Sequence, residues 1–248
     1  MSISGRGLKH RATPNRLFTH TCAVLGFFAP MQAVLAQTPR LSEQSVRFTV
    51  FSSRPVTGLT YVPRTGIAPT KLVLYPTARS PRYDYRGAMP LRLTDTTTGA
   101  VVAEAVIPPE IHDALLLLAP IEPVPATGLR YRVSVLDDGA ARHGTGGLTI
   151  INFSGLVLAG SVGKTDVTLK DGLNPTLAVG RSAKVMLRTM VKGRSFQSYA
   201  ATLQLSGKER ALLILFPPFY KGSLEVQSRL LVDEPPVPPA MPAAGREK

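Results

Sequence analysis

Two short segments without any polar side chain stand out in a chain that otherwise mixes apolar and polar positions. Ala114–Pro120 reads Ala-Leu-Leu-Leu-Leu-Ala-Pro, and Ala211–Pro217 reads Ala-Leu-Leu-Ile-Leu-Phe-Pro. A short apolar run that a proline ends is typical of a buried strand rather than of a long helix. We therefore predict that each segment is the central buried strand of a β-domain that occurs twice.

Stretches with a period of two predict further strands around both runs. Leu129–Val135 has apolar residues at its odd positions and polar residues at its even positions, as in a half-buried strand. The Lys192-Gly193 pair is predicted to separate two strands. Leu224–Val232 is predicted to close the second half, and its apolar face consists of Leu224, Val226, Leu230 and Val232.

Matches between the two halves of the chain indicate a repeat. Phe51-Ser52 matches Phe153-Ser154 at an offset of 102 residues, Arg79-Ser80 matches Arg181-Ser182 at the same offset, and Ala114 matches Ala211 at an offset of 97. Each copy would hold six to eight strands in about ninety residues, which is the size of an immunoglobulin-like sandwich.

The predicted fold is therefore all-β, with two tandem immunoglobulin-like β-sandwich domains at residues 45–137 and 148–233. A linker at residues 138–147, with four glycines, would join them. The Cys…Trp…Cys signature of antibody domains is absent from both halves, so the prediction depends on the number of strands. A single large sandwich built from both halves is the alternative.

Both ends of the chain are predicted to lie outside the fold. Residues 1–36 have a basic start, an apolar run at Cys22–Leu35 and small residues up to Ala36, which is the pattern of a secretory signal peptide. The apolar run is too short for a membrane span and contains Pro30 and Gln32. We expect a periplasmic or extracellular protein without cysteine or a transmembrane segment. The proline-rich residues 234–248 are predicted to form an extended, disordered tail.

The charge of the exported part favours an anionic partner. The whole chain has a net charge of +13, and four of its 29 Lys and Arg lie in the predicted signal peptide. The remaining 25 Lys and Arg face 16 Asp and Glu, which leaves a net charge of +9. Outside the cytoplasm such a charge favours acidic polysaccharide, anionic lipid or an envelope protein rather than nucleic acid. The alternative is that the charge only keeps the protein soluble.

No motif predicts catalysis, a cofactor or a metal. Gly160–Thr165 resembles the end of a phosphate-binding loop, but the loop's first glycine is replaced by Leu158 and a strand follows instead of a helix. His112 and His143 fit no common zinc spacing, and no Gly-x-Ser-x-Gly elbow occurs. The prediction leans towards a non-enzymatic protein. A carbohydrate-active enzyme is the alternative, because its paired carboxylates can come from distant parts of a chain.

A group of arginines and tyrosines gives the first candidate for a binding surface. Arginine offers a planar fork for carboxylate, sulfate or phosphate, and tyrosine stacks on sugar rings. Most of the group falls in residues 77–89, which are predicted to form a loop. The alternative is an ordinary solvated loop. The candidate binding residues are Arg79, Arg82, Tyr83, Tyr85, Arg86 and Arg92.

The aromatic segment Phe216–Lys221 is a second candidate, and we interpret it as a packed corner rather than a ligand surface.

Three short stretches of the second half, Asn152–Gly155, Gly180–Ser182 and Tyr220–Arg229, resemble a loose group of uncharacterised secreted β-rich proteins of environmental bacteria. This resemblance implies export and a β fold, and no activity. The layout is also similar to that of periplasmic pilus chaperones, which have two immunoglobulin-like domains, although that family's strand motif and paired basic anchors are not found here. The sequence thus predicts an exported, non-enzymatic binding or scaffolding module at the cell envelope.

Overall fold

The computed structural model describes residues 43–126 and 128–236, and these residues form seventeen β-strands and no helix. The all-β class is therefore confirmed. The predicted signal peptide lies outside the described residues, and so does the predicted tail beyond its first three residues.

The first half of the fold has eight strands in two sheets. Sheet 1 has the order β4-β1-β7-β8, and sheet 2 has the order β3-β2-β5-β6. The strands are β1 Gln44–Ser52, β2 Leu59–Tyr61, β3 Thr70–Lys71, β4 Tyr83–Gly87, β5 Leu91–Asp95, β6 Val101–Ala105, β7 Asp113–Pro120 and β8 Tyr131–Asp137.

The second half has nine strands in two further sheets. Sheet 3 has the order β12-β9-β16-β17, with β13 also paired to β9, and sheet 4 has the order β11-β10-β14-β15. When the extra strand β13 is left out and strands are counted from the start of each half, sheet 3 has the order of sheet 1 and sheet 4 has the order of sheet 2. The strands are β9 Gly147–Asn152, β10 Leu158–Val162, β11 Thr165–Leu169, β12 Gly172–Leu173, β13 Leu177–Ala178, β14 Ser182–Val191, β15 Arg194–Gln204, β16 Arg210–Phe216 and β17 Gln227–Asp233.

Both apolar runs are interior strands, as the sequence predicts. β7 lies between β1 and β8, and β16 lies between β9 and β17. Each run pairs in parallel with the first strand of its own half and antiparallel with the last. Proline is tolerated at the end of each run because no further ladder bond is required from its missing N–H there.

Three apolar clusters hold the sheets together. One cluster joins sheets 1 and 2 around Phe48 and Leu116, and a second joins sheets 3 and 4 around Ile150 and Leu213. The third cluster lies between sheets 1 and 3, so each of these two sheets is covered by apolar side chains on both faces. This seam consists of Phe51, Leu115, Leu117, Ile151, Leu212, Ile214 and Leu231.

The repeat matches read from the sequence differ from the strand ladders. Phe48 lies opposite Ala114 in sheet 1, and Leu148 lies opposite Ala211 in sheet 3. The first strands therefore correspond at residue 48 against residue 148, an offset of 100 rather than 102. Arg79-Ser80 precedes β4, whereas Ser182 is the first residue of β14. The match between Arg79-Ser80 and Arg181-Ser182 therefore does not relate equivalent positions of the two halves.

Two local predictions are wrong. Residues 77–89 are not all loop, because Tyr83–Gly87 forms β4 and pairs with β1 through the backbone. On β17 the buried residue is Leu231, while Leu230 and Val232 are 40% and 39% exposed. Within β17 the predicted face was therefore shifted by one residue, and a shift of one residue reverses the faces of a strand. Val226, which precedes β17, is buried as predicted.

Gly160 stands where the chain leaves no room for a side chain. A Cβ at this position would lie 2.0 Å from the backbone carbonyl oxygen of Met186, because β10 and β14 approach closely here. The glycine-rich string Gly160–Thr165 is thus explained by strand packing, and it forms part of the β10–β11 hairpin with Gly163 at φ +60°.

We expect Gly160→Ala to lower the free energy of unfolding by about 1–3 kcal/mol or more, because the backbone of β10 or β14 must move. Urea denaturation followed by circular dichroism measures the change. Gly207→Ala is the matched control, since its Cβ would meet its nearest neighbour at 3.7 Å. Equal stability of the two variants would contradict this explanation of the glycine.

Candidate functional site

The structure separates the six predicted binding residues into three environments. Arg79 is 8% exposed and belongs to the interior, so it takes no part in a surface site. Tyr83 packs against Phe48 and Tyr61, with ring centroids 5.6 Å from each. Arg82 is exposed on the segment before β4. The remaining three lie together.

Tyr85, Arg86 and Arg92 line one groove of about 350 Å³ on the first half. Tyr85 and Arg86 come from β4, and Arg92 comes from β5. Arg64, which the sequence analysis missed, completes the set. The Arg86 N–H donates to the Pro63 carbonyl at 2.8 Å, which holds the segment of Arg64 beside β4. We call these four residues the arginine groove.

The arginine groove is cationic and open to solvent. Its three arginines face no carboxylate among the residues that line it. Two of them are paired at its margin, where Arg86 Nε lies 3.3 Å from Glu43 and Arg92 Nε lies 3.0 Å from Glu104. These arginine side chains are more than half exposed, and exposed ion pairs of this kind contribute little and exchange easily.

The tyrosines around the groove stay protonated at neutral pH. Burial raises the pKa of Tyr85 above its ordinary value, although Arg92 opposes the shift, and the Tyr85 hydroxyl donates to the Ala88 carbonyl. Burial, with help from Asp84 and Tyr83, raises the pKa of Tyr61 to about 12. Tyr85 therefore brings no negative charge to the groove.

A cluster of five charged or titratable side chains, four of them buried, includes residues of both halves and of the segment between them. Arg210 is fully buried and donates to the Asp138 carboxylate at 2.9 Å, to both oxygens of Asp233, and to the carbonyls of Asp138 and His143 at 2.8 Å. Arg79 donates to Asp138 as well. We call these five residues the buried ion cluster.

The buried ion cluster changes the picture of residues 138–147, which were predicted as a linker. Asp138 and His143 are 4% exposed, so these two residues anchor the segment in the fold, whereas Ala141, Arg142 and Thr145 are exposed. His143 Nε2 lies 2.7 Å from the Ala211 carbonyl, and its Nδ1 lies 3.8 Å from Asp138. The segment thus connects Arg79 of the first half with Arg210 of the second.

Asp138 is unsuited to act as a catalytic acid. Burial raises the pKa of its carboxyl, but His143, Arg79 and Arg210 together outweigh burial and keep the pKa below its ordinary value. A glycoside hydrolase needs an acid whose pKa is raised. The neighbouring Asp137 accepts from the Gly139 N–H and lies 3.4 Å from Arg142. This carboxylate pair is therefore committed to structure.

A cavity of about 420 Å³ opens beside Asp137 and Asp138, at one end of the seam. Both carboxylates line it, with Arg142 and His143 beside them, and six of the thirteen lining residues are leucine or threonine. His112 is exposed, whereas His143 is buried. The described residues contain no group of three or more His, Cys, Asp or Glu placed to hold a metal. The walls include Leu115, Leu136, Thr149, Leu173, Thr176 and Leu212.

No protein-family model matches the chain, and no significant match is found among curated proteins. Over residues 43–126 and 128–236 there is also no helix with the length and apolar character that crossing a membrane requires. The arginine groove is the arrangement with the clearest chemical preference, which is for an anion.

Proposed function

We propose that this protein is an exported, non-enzymatic binding module of the cell envelope, and that its partner is an acidic polysaccharide held in the arginine groove. The observation that carries the proposal is the convergence of Arg64, Arg86 and Arg92 on one groove without a lining carboxylate. The three arginines come from separate parts of the first half, so their convergence is a property of the fold.

The groove matches the chemistry of a chain that carries one carboxylate or sulfate per sugar. Each guanidinium offers two parallel N–H groups to such an oxyanion, and charge-assisted bonds of this kind are the stronger ones. The Tyr85 ring adds a surface on which a sugar can lie. Displacing Glu43 and Glu104 from their exposed pairs costs little, so the arginines are available to a ligand.

We also propose the finer architecture that the sequence predicts, namely a signal peptide followed by two tandem immunoglobulin-like sandwiches. A duplication is supported by the strand order, because sheet 1 corresponds to sheet 3 and sheet 2 corresponds to sheet 4 when β13 is left out. The resemblance to secreted β-rich proteins of environmental bacteria agrees with export.

We expect the protein to bind polygalacturonate and to release it as salt is added, because salt screens exposed charges. Arg64→Ala, Arg86→Ala and Arg92→Ala should each weaken binding about tenfold, and the triple variant should weaken it further. Isothermal titration calorimetry at several salt concentrations measures both effects.

Arg82→Ala is the matched control for this experiment. It removes the same charge from an exposed arginine that does not line the groove, and its affinity should stay within about twofold of the wild type. If Arg82→Ala weakens binding as much as Arg86→Ala does, net charge alone is responsible and the groove is not a site. Binding to vesicles of anionic lipid but not to polygalacturonate would replace the polysaccharide with a membrane surface.

A further inference from the structure

The loop after β16 presents two aromatic side chains to solvent. Phe219 is 73% exposed and Tyr220 is 72% exposed, and their rings meet edge to face with centroids 4.9 Å apart. The packed corner that the sequence predicts is therefore not formed by these two residues. Exposure of adjacent aromatic rings contributes nothing to the core and is typical of interaction surfaces.

Local hydrogen bonds give this loop a defined shape. Gln227 Nε2 donates to the Pro217 carbonyl at 2.9 Å, and the Ser223 N–H donates to the Tyr220 carbonyl at 3.1 Å across a turn with Gly222 at φ +86°. At the far side of the loop, Val226 is buried in the core of the second half. The aromatic rings are thus held outward by an ordered turn.

Phe219 forms one wall of a concave groove of about 550 Å³ at this end of the molecule. Four of its seven lining residues are polar. We call this the aromatic groove, and its lining includes Ser53, Arg54, Phe216, Phe219, Gln227 and Arg229.

The charges of the aromatic groove are available to a ligand. Arg54 lies 2.5 Å from Glu122, but both side chains are more than half exposed, so the pair exchanges easily. Arg229 donates to the Ser228 carbonyl at 2.8 Å and has no carboxylate within 4 Å in the described part of the chain. Two arginines therefore line the groove together with Phe219.

We propose that the aromatic groove is a second binding site, and that its ligand is an acidic oligosaccharide. The C–H face of a pyranose packs on Phe219 while its carboxylate takes the fork of Arg229, and Arg54 receives the carboxylate of a neighbouring sugar. Ser53 and Gln227, which also line the groove, supply partners for ring hydroxyls. A membrane surface fits less well, because the site is concave and four of its seven lining residues are polar.

The absence of tryptophan from the sequence allows a direct test. Tyr220→Trp introduces a single indole beside the groove, and its fluorescence should change on titration with oligogalacturonate. The titration is done in the Arg64→Ala, Arg86→Ala, Arg92→Ala background, so that the arginine groove does not contribute. Fully methyl-esterified oligogalacturonate, which keeps the sugar ring but lacks the charge, should bind about tenfold more weakly or worse.

In the same background, Phe219→Ala and Arg229→Ala should each lower the affinity for oligogalacturonate about tenfold. Val157→Ala is the control, since Val157 is 75% exposed and does not line the groove. An unchanged indole signal at saturating oligogalacturonate, or unchanged affinity in Phe219→Ala, would overturn the proposal. A response to vesicles of anionic lipid alone would also overturn it. If instead the arginine groove is not a binding site, the variant with Arg64→Ala, Arg86→Ala and Arg92→Ala will bind polygalacturonate with wild-type affinity.

Discussion

Replacing Arg210 with alanine is expected to lower the free energy of unfolding by about 3–5 kcal/mol. The side chain is fully buried, and its loss leaves Asp138 and Asp233 with one fewer counter-charge and two carbonyls without a donor. Breaking a buried pair from one side costs more than the pair itself contributes, because a charge stays in the interior. Urea denaturation followed by circular dichroism measures the loss.

Two comparisons make this expectation specific. Arg92→Ala removes an arginine from an exposed ion pair with Glu104 and should leave stability unchanged within error. The pKa of Asp138 is depressed in the folded state, so its contribution is complete above its unfolded pKa, near 4, and is lost as pH falls through the lower folded value. Asp138→Asn should remove this part of the acid dependence. Equal stability of Arg210→Ala and Arg92→Ala would show that the buried ion cluster does not hold the fold together.

The second large effect is expected in the central strand of the second half. Leu212→Ala and Leu213→Ala should each cost about 2–5 kcal/mol, because Leu212 packs in the seam and Leu213 packs against sheet 4. The two residues are 3% and 1% exposed. Thermal and urea unfolding of the two variants measure the contributions of the two faces separately.

Leu230→Ala is the control for this pair, because Leu230 lies directly opposite Leu213 on the edge strand β17 and is 40% exposed. It should cost well under half as much as Leu213→Ala. A small effect of Leu212→Ala together with a large effect of Leu213→Ala would mean that the seam contributes little to stability, contrary to the packing described above.

Local patterns identified the strands whose surroundings are uniform. Ala114–Pro120 and Ala211–Pro217 are apolar at every position because sheets 1 and 3 are covered on both faces, so the run itself reports burial. The turn at Lys192-Gly193 was also predicted from the sequence, because glycine favours the positive φ that a two-residue hairpin turn requires. Both residues have positive φ in the structure, at 50° and 75°. β4 was missed because its tyrosines and charged residues resemble a surface loop, while its pairing partner β1 lies far away in sequence.

The candidate site was only partly predictable from the sequence, because some of its residues meet only through contacts between distant parts of the chain. The Tyr85, Arg86 and Arg92 group was found because its members are close in sequence, whereas Arg64 joins it only through the contact with β4. Arg79 looked like a surface arginine, because its partner Asp138 is 59 residues away. No local pattern distinguishes an arginine that meets a buried carboxylate from one that meets water.

The sequence by itself determined that this chain forms β-strands, where its two central strands lie, and that the chain is strongly basic. These properties follow from periodicity, short-range turn chemistry and composition, which act over a few residues. Only the tertiary structure decided that sheets 1 and 3 pack into a seam, that Asp138 and His143 are buried in the ion cluster, and that exposed arginines and Phe219 collect in two grooves. The physical reason is that burial and charge pairing are set by neighbours that are distant along the chain.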